Sequence, residues 1–542
     1  MPNSFYNVGG LRPSKSFFNL SYKKKFNCDM GQLIPVMCDE VVPGDIIKIA
    51  NDVVVRFEPM VAPVMDDIWL KVRYFFVPYR LLHRDCLSGD GVEPGDTFDW
   101  ETFITGGKEG DGKDKNGVLQ VLPLWSPTNN AKYSLWDYLG FPVGVTPAGM
   151  LPLNFPREAY NFIVNEYFIN ENIDTPVSLD NESIVNVRWN KDYFTSCLPW
   201  QQRGTAPVLA GDIMYEGTDE AYHKLFMKSV YTDDTFATGS KLVGVDASNG
   251  VRVKTTDPDH PNMSAGSVVL ADYNQRPKDG ISPIIFGGFN VAQLRLCVQT
   301  QKWLERNARA GARYTEFLKA HYGVAPTDAR LDRPEYIGGC KTPIIVSEVL
   351  QTSNTVTTGD PGEETVHPQG GMAGHGISID RNYVAKYRVQ EFGLIMGLAY
   401  IVPKHGYSGQ GINRQWLRRA KLEFYTPEFA HISEQGVYTA EIFASSTEAT
   451  NKRIFGFIGA FDEMRHKQDM VAADFRDTYQ YWTLNDAYEN APLLNSSFVE
   501  CNPRKNIFAV DTFPGCKVNF QNIIHAYRPL PLIGEPGLVD HY

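Results

Sequence analysis

Two blocks of period-two patterning stand far apart in the chain. Within Asp45 to Pro78, Val53, Val55 and Phe57 alternate with Val54, Arg56 and Glu58, which reads as a strand. The next run, IWLKVRYFFVPY, places Ile68, Leu70, Val72, Tyr74 and Phe76 on one face and Lys71 and Arg73 on the other, predicting a strand that buries one side. Comparable runs return only after about position 380, as FGLIMGLAYIV, GVYTAEIF, RIFGFIGAF and KVNFQNIIHAY. Strands drawn from such distant stretches predict a mainly β fold with non-local pairing, its middle filled by helices and loops.

In that middle, Pro156 suits a first helical turn, and Tyr160, Ile163, Val164, Tyr167 and Phe168 follow at helical spacing. A second helix is expected from about Val291 to His321, with Gly311 as a point of weakness. Its apolar face holds Leu294, Cys297, Val298, Leu304, Ala308 and Ala312, and Arg295, Lys302, Arg306, Arg309 and Arg313 gather on an adjoining arc. Such an arc suits an ion-paired protein interface or a solvated face better than nucleic acid. Residues 203–283 are rich in Thr, Ser, Asp, Asn and Gly and read as an insertion with strands of its own, projecting from the scaffold. Gln351 to Gly376 reads as a further exposed loop.

The 542 residues are 43% hydrophobic and 21% charged, which excludes wholesale disorder, coiled coil and collagen. The longest apolar run, Phe392 to Val402, is far short of the roughly 20 residues of a membrane-spanning helix. The first residues gather no apolar stretch behind their charges, so no secretory signal is expected. Eight cysteines without a C-x-x-C are expected to be buried free thiols in a reducing compartment. A formal net charge of −11 confines any nucleic-acid contact to a local patch. The basic candidate is the N-terminal segment, where Arg12, Lys15, Lys23, Lys24 and Lys25 are interleaved with Phe17, Phe18, Tyr22 and Phe26. Cations beside aromatics suit single-strand binding, and a solvated arm anchored by its aromatics is the plainer alternative.

Catalytic motifs fail on inspection. Gly107 to Asp114 has phosphate-loop spacing, but puts Asp where a hydroxyl should hold magnesium. The stretch Asp111 to Gly117 lacks the calcium-loop pattern, the eleven histidines form no H-E-x-x-H, and GYSG at Gly406 to Gly409 stops short of a nucleophile elbow. No enzyme activity, metal or cofactor is expected.

Several segments together resemble the major capsid protein of the Microviridae, in particular its gokushovirus-like branch. They are PGDIIKI, MDDIWLKVRYFFVPYRLL, REAYNFIVNEYF, DYFTSCLPWQQRG, QKWLERNARAGARYTEFLKAHYGV, DARLDRPEYIGG, FYTPEFAHISEQGVYTAEIF and PLIGEPGLVDHY, in that order. The resemblance implies an eight-stranded antiparallel jelly roll of the viral capsid type, with long loop and helix insertions. It further implies a virion component, assembled through pentamers in the bacterial cytoplasm, in which sixty copies form a T=1 icosahedral shell around circular single-stranded DNA. Its partners would be copies of itself, the genome, a small basic DNA-binding protein, internal scaffolding and pilot proteins, and a host surface receptor, with no membrane insertion. Residues 1–40 would form an interior arm, 41–202 and 284–542 a discontinuous jelly-roll core, and 203–283 a protrusion at the threefold axis. The arm cations would meet DNA or an internal protein, and Arg295, Lys302, Trp303, Arg306, Arg309 and Arg313 a neighbouring subunit. Asp246, Asn249, Asp257, Asp259, His260 and Asn262 would lie at the attachment tip. The competing class is a cytoplasmic β-rich oligomeric enzyme or carbohydrate-binding protein.

Overall fold

The computed structural model describes residues 14–82, 98–106, 113, 119–205, 213–214, 227–229, 268–270, 285–286, 291–310, 314–323, 327–350, 355–358, 364–367, 372–429 and 434–533. In chain order β1 (Ser16–Asn19), β2 (Tyr22–Cys28), β3 (Ile34–Val41), β4 (Ile46–Phe57) and β5 (Ile68–Pro78) come first. Helices α1 (Trp100–Thr105), α2 (Leu135–Tyr138) and α3 (Phe155–Tyr167) follow, then the short strands β6 (Ile213–Met214), β7 (Met227–Ser229), β8 (Val268–Leu270) and β9 (Ile285–Phe286). After α4 (Val291–Ala310) and α5 (Tyr314–Tyr322) come β10 (Glu335–Leu350), β11 (Thr355–Thr358), β12 (Glu364–His367), β13 (Met372–Arg388) and β14 (Gly393–Pro403). The remainder holds β15 (Gln435–Tyr438), α6 (Thr439–Ile442), β16 (Ile454–Ile458) and β17 (Cys516–Arg528).

Two long strands turn the corner of the fold. β10 pairs with β5 over Glu335 to Ile344 and with β13 from Ile345 onward, whereas β13 leaves β10 at Ile377 and pairs with β4 up to Arg388. The antiparallel path therefore folds into two sheets, β2-β17-β4-β13 and β3-β14-β5-β10. Every connection but β5 to β10 crosses from one sheet to the other, which is the eight-stranded jelly roll expected from the sequence. Between the sheets lie Ile47, Ile49, Val53, Val55 and Phe57 of β4, Ile68, Leu70, Val72, Tyr74 and Phe76 of β5, and inward residues of β3, β14 and β17.

On the second sheet, β14 and the second half of β5 are buried on the outer face as well. Phe75, Val77, Leu394, Met396, Leu398 and Tyr400 pack under α3 and under a cluster built on Trp125 and on Trp136 of α2. From Tyr74 onward β5 is thus buried on both sides, and the one-sided reading holds only for its first half. Tyr160 of α3 ties this layer down, its hydroxyl donating to the Leu33 carbonyl at 2.9 Å and accepting from the Val185 amide at 3.1 Å.

Several expectations need correction. β10 was hidden by Gly338, Gly339 and Pro343, which break its alternation. A Cβ on Gly339 would stand 2.4 Å from the Val72 carbonyl oxygen, so glycine lets the strands meet. The stretch 351–376, expected as a loop, holds β11, β12 and the start of β13. In the GVYTAEIF segment β15 gives way to α6, and β15 pairs only with β16, outside the jelly roll. The helix expected over 291–321 is two, α4 and α5. The described part of the N-terminal stretch is not a free arm, because β1 and β2 both pair with β17 and β3 with β14.

By its contacts the chain divides into Met1–Arg203 with Glu305–Tyr542, and Gly204–Leu304. In the second unit β6 pairs with β9 and β7 with β8, both antiparallel. The expected attachment tip, with Asp246, Asn249, Asp257, Asp259, His260 and Asn262, lies outside the described residues. No described helix is long and apolar enough to cross a membrane. The seven described cysteines are free thiols.

Candidate assembly and nucleic-acid surfaces

Strand alternation sorts the N-terminal cations. Lys23 and Lys25 are exposed, facing the same way as Gln521 and Asn519 of β17, whereas Lys24 points to the other side. The Lys24 ammonium donates to the carbonyls of Pro35, at 2.6 Å, and Tyr138, and burial pushes its pKa down to about 8. Lys24 is a structural donor, which corrects its reading as a phosphate contact. Lys15 is exposed and bonded to the Gly44 carbonyl, and Arg12 lies outside the described residues.

On α4, Arg295, Lys302 and Arg306 are exposed and Trp303 is half-exposed. Arg309 is bonded to the buried carboxylate of Glu434, so one of the five cations is ion-paired within the chain. Arg313 lies outside the described residues. Leu294 and Val298, expected to face a core, are 43% and 44% exposed, and among the described residues of that stripe only Ala308 is fully buried, Ala312 lying outside them. An uncovered helix bearing Leu, Val, Trp and Arg has the composition of a protein interface.

A polar hub that sequence reasoning missed holds the DYFTSC segment in place. The His405 ring stacks on Trp189 at 4.2 Å and 4°, with Nδ1 3.0 Å from Asp192 Oδ2 and Nε2 3.0 Å from Asp486 Oδ2. Tyr407 donates to the same Asp192 oxygen at 2.8 Å, and Asp192 Oδ1 accepts from the Phe194 and Thr195 amides. Burial alone would lower the His405 pKa, but the bonds and charges of the two carboxylates outweigh it and hold the pKa above its usual value. Burial opposes ionisation of Asp192 too, and bonds from His405, Thr195 and Tyr407 keep its pKa below the ordinary range. With both ring nitrogens facing carboxylates, the imidazolium has none left to activate a nucleophile. The hub is a clamp joining three segments distant in sequence.

Beside the hub lies a cavity of about 760 Å³, lined in part by Arg73, Arg188, Arg309 and Arg465. Arg188 is paired with Asp174, Arg309 with Glu434 and Arg465 with Asp462, so most of its cations are already neutralised. Among the described residues no group of three or more His, Cys, Asp or Glu could hold a metal ion.

A jelly roll with one sheet partly covered, an exposed apolar and cationic helix, and a histidine held in a structural clamp fit the class of structural shell proteins. The chain belongs to the phage capsid protein (F protein) family, whose profile matches residues 7–538. It is 30% identical to capsid protein VP1 of Chlamydia phage 1, an alignment covering 99% of this chain and 98% of that one. VP1 of Spiroplasma virus 4 is 29% identical over 97% and 95% of the two chains, and VP1 of Bdellovibrio phage phiMH2K 27% identical over 100% and 98%. These relatives are gokushoviruses, as the resemblance implied. The protein is therefore a structural component of a virion capsid, not an enzyme, and assembles with copies of itself into a shell.

Proposed function

We propose that sixty copies of this chain, assembled through pentamers in the cytoplasm of a bacterial host, form a T=1 icosahedral shell around a circular single-stranded DNA genome. The observation that carries this reading is the match along almost the whole chain to capsid proteins of small phages, with a jelly roll underneath. The α4 surface with Arg295, Lys302, Trp303 and Arg306 serves as a subunit contact, since uncovered aliphatic, aromatic and arginine side chains together suit a repeated closed interface. The 203–283 insertion serves host attachment at the threefold axis, where three copies of a weak site raise avidity. A small basic DNA-binding protein and internal scaffolding and pilot proteins complete the particle. Expressing the full chain and weighing its assemblies by native mass spectrometry tests the shell: closed sixty-copy particles are expected, and a discrete small oligomer contradicts it. Replacing 245–263 by a short Gly/Ser linker should leave particles intact but poorly adsorbed to host cells; normal adsorption contradicts the attachment role.

A further inference from the structure

The outer face of the β2-β17-β4-β13 sheet carries six cations that no carboxylate among the described residues neutralises. Alternation and register place Lys23, Lys25, Lys48, Arg56, Lys386 and Arg388 on this one face. All but the half-buried Lys48 are exposed, and among the described residues none has a carboxylate within ion-pair distance. The two other cations of the face do have partners, Arg381 with Asp52 at 3.7 Å and Lys517 with Glu58 at 2.6 Å. Lys48 stands directly opposite Lys386, and Arg56 directly opposite Lys517. Like charges facing each other across strands destabilise a sheet, so stability alone gives no reason for this arrangement. Glu58 already offsets the second pair through Lys517, and a polyanion lying on the face would relieve the first.

Exposed aromatic rings share the face. Phe17 lies 5.3 Å from Tyr527, both partly open to solvent, and Tyr383 of β13 is 67% exposed. Cations that track a phosphate backbone beside rings on which bases stack are the two elements of sequence-independent single-strand recognition. On a chain of net charge −11, this concentration of unpaired positive charge marks a specific surface.

We infer that the bare outer face of this sheet is where the protein holds single-stranded DNA, with Lys23, Lys25, Lys386 and Arg388 as phosphate contacts and Tyr383 as a stacking platform. The inference rests on the shell-around-DNA reading and deepens it, because it names the surface turned to the genome. It extends the N-terminal basic reading to two further strands, β4 and β13, and removes Lys24 from it.

The test is fluorescence anisotropy of the purified full-length chain with a labelled thirty-residue oligothymidylate, across a salt series. Four phosphate contacts should make affinity fall roughly 50-fold between 50 and 200 mM salt, and the K23Q/K25Q/K386Q/R388Q variant should lose nearly all of that salt dependence. Tyr383→Ala should weaken oligothymidylate at least about 5-fold and leave heparin binding unchanged. The control variant K421Q/K467Q, exposed cations away from this sheet, should match the unsubstituted chain. Should the quadruple variant misfold, K23Q/K25Q gives the same reading with a smaller change in slope. An unchanged slope in the variants overturns the inference, as does an equal loss in the control. Loss of shell assembly with oligonucleotide binding intact would assign the face to a second copy of the chain and overturn it too. Unsubstituted particles lacking single-stranded DNA overturn the shell-around-DNA reading itself, whereas variant particles that package DNA normally overturn only the surface assignment.

Discussion

The outer faces of the two sheets have opposite fates. On the β3-β14-β5-β10 sheet, Phe75, Val77, Leu394, Met396 and Leu398 disappear under α3 and the Trp125–Trp136 cluster, so β14 is buried at every position. On the β2-β17-β4-β13 sheet, β4 alternates strictly, its inward residues buried and its outward ones more open. Covered sheets give continuous apolar runs and half-covered ones give alternation. One sheet therefore carries two layers of core, while the other needs only its inner face for stability and leaves the outer one free to carry charge.

Substitutions that probe this contrast should differ in size by roughly a factor of ten. Phe75→Ala, on the covered face with no solvent exposure, should cost about 3–5 kcal/mol in chemical unfolding of the subunit. A loss under 1 kcal/mol would show that the covering layer is loosely packed. His405→Ala should cost on the order of 3 kcal/mol, because it leaves Asp192 and Asp486 without the cation between them. The hub also sets a pH window. The raised His405 pKa contributes stability that is fully present below about 6.5, the unfolded value, and is lost as pH rises through the native value. The lowered Asp192 pKa contributes stability present above about 4 and lost as pH falls through its native value. Unfolding free energy followed from pH 3 to 9 should therefore be highest in the weakly acidic range, and His405→Ala should flatten the alkaline limb.

At the corner between the sheets, Gly376→Ala would put a Cβ 2.3 Å from the Phe57 ring and should cost about 1–3 kcal/mol, read as a lower midpoint of thermal unfolding. Smallest of all, Lys25→Gln on the bare face should change stability by less than about 0.5 kcal/mol. A larger loss there would mean that this face is held by contacts within the subunit.

How much of this was legible depended on pattern in each segment. β4, β5, β14 and β17 could be read because alternation or an unbroken apolar run survives in each, and α3 because its stripe repeats at helical spacing. β10 and β13 escaped because glycines, needed where one strand crosses another's carbonyl or ring, interrupt the pattern. The N-terminal lysines were legible as a cluster but not as faces. Once β2 is known to be a strand, period two separates Lys24 from Lys23 and Lys25 at once. The His405 hub had no local signal, since Asp192, His405 and Asp486 meet only through tertiary folding. The open face was hidden for the same reason, its six cations coming from three strands, two of them near the start of the chain and one more than 300 residues later.

The most direct measurement is a cryo-electron microscopy reconstruction of the assembled particle, fine enough to trace individual strands. The account predicts that the face bearing Lys23, Lys25, Lys386 and Arg388 lines the lumen, against density for nucleic acid. That face on the outer surface of the particle, or buried between subunits, would contradict it.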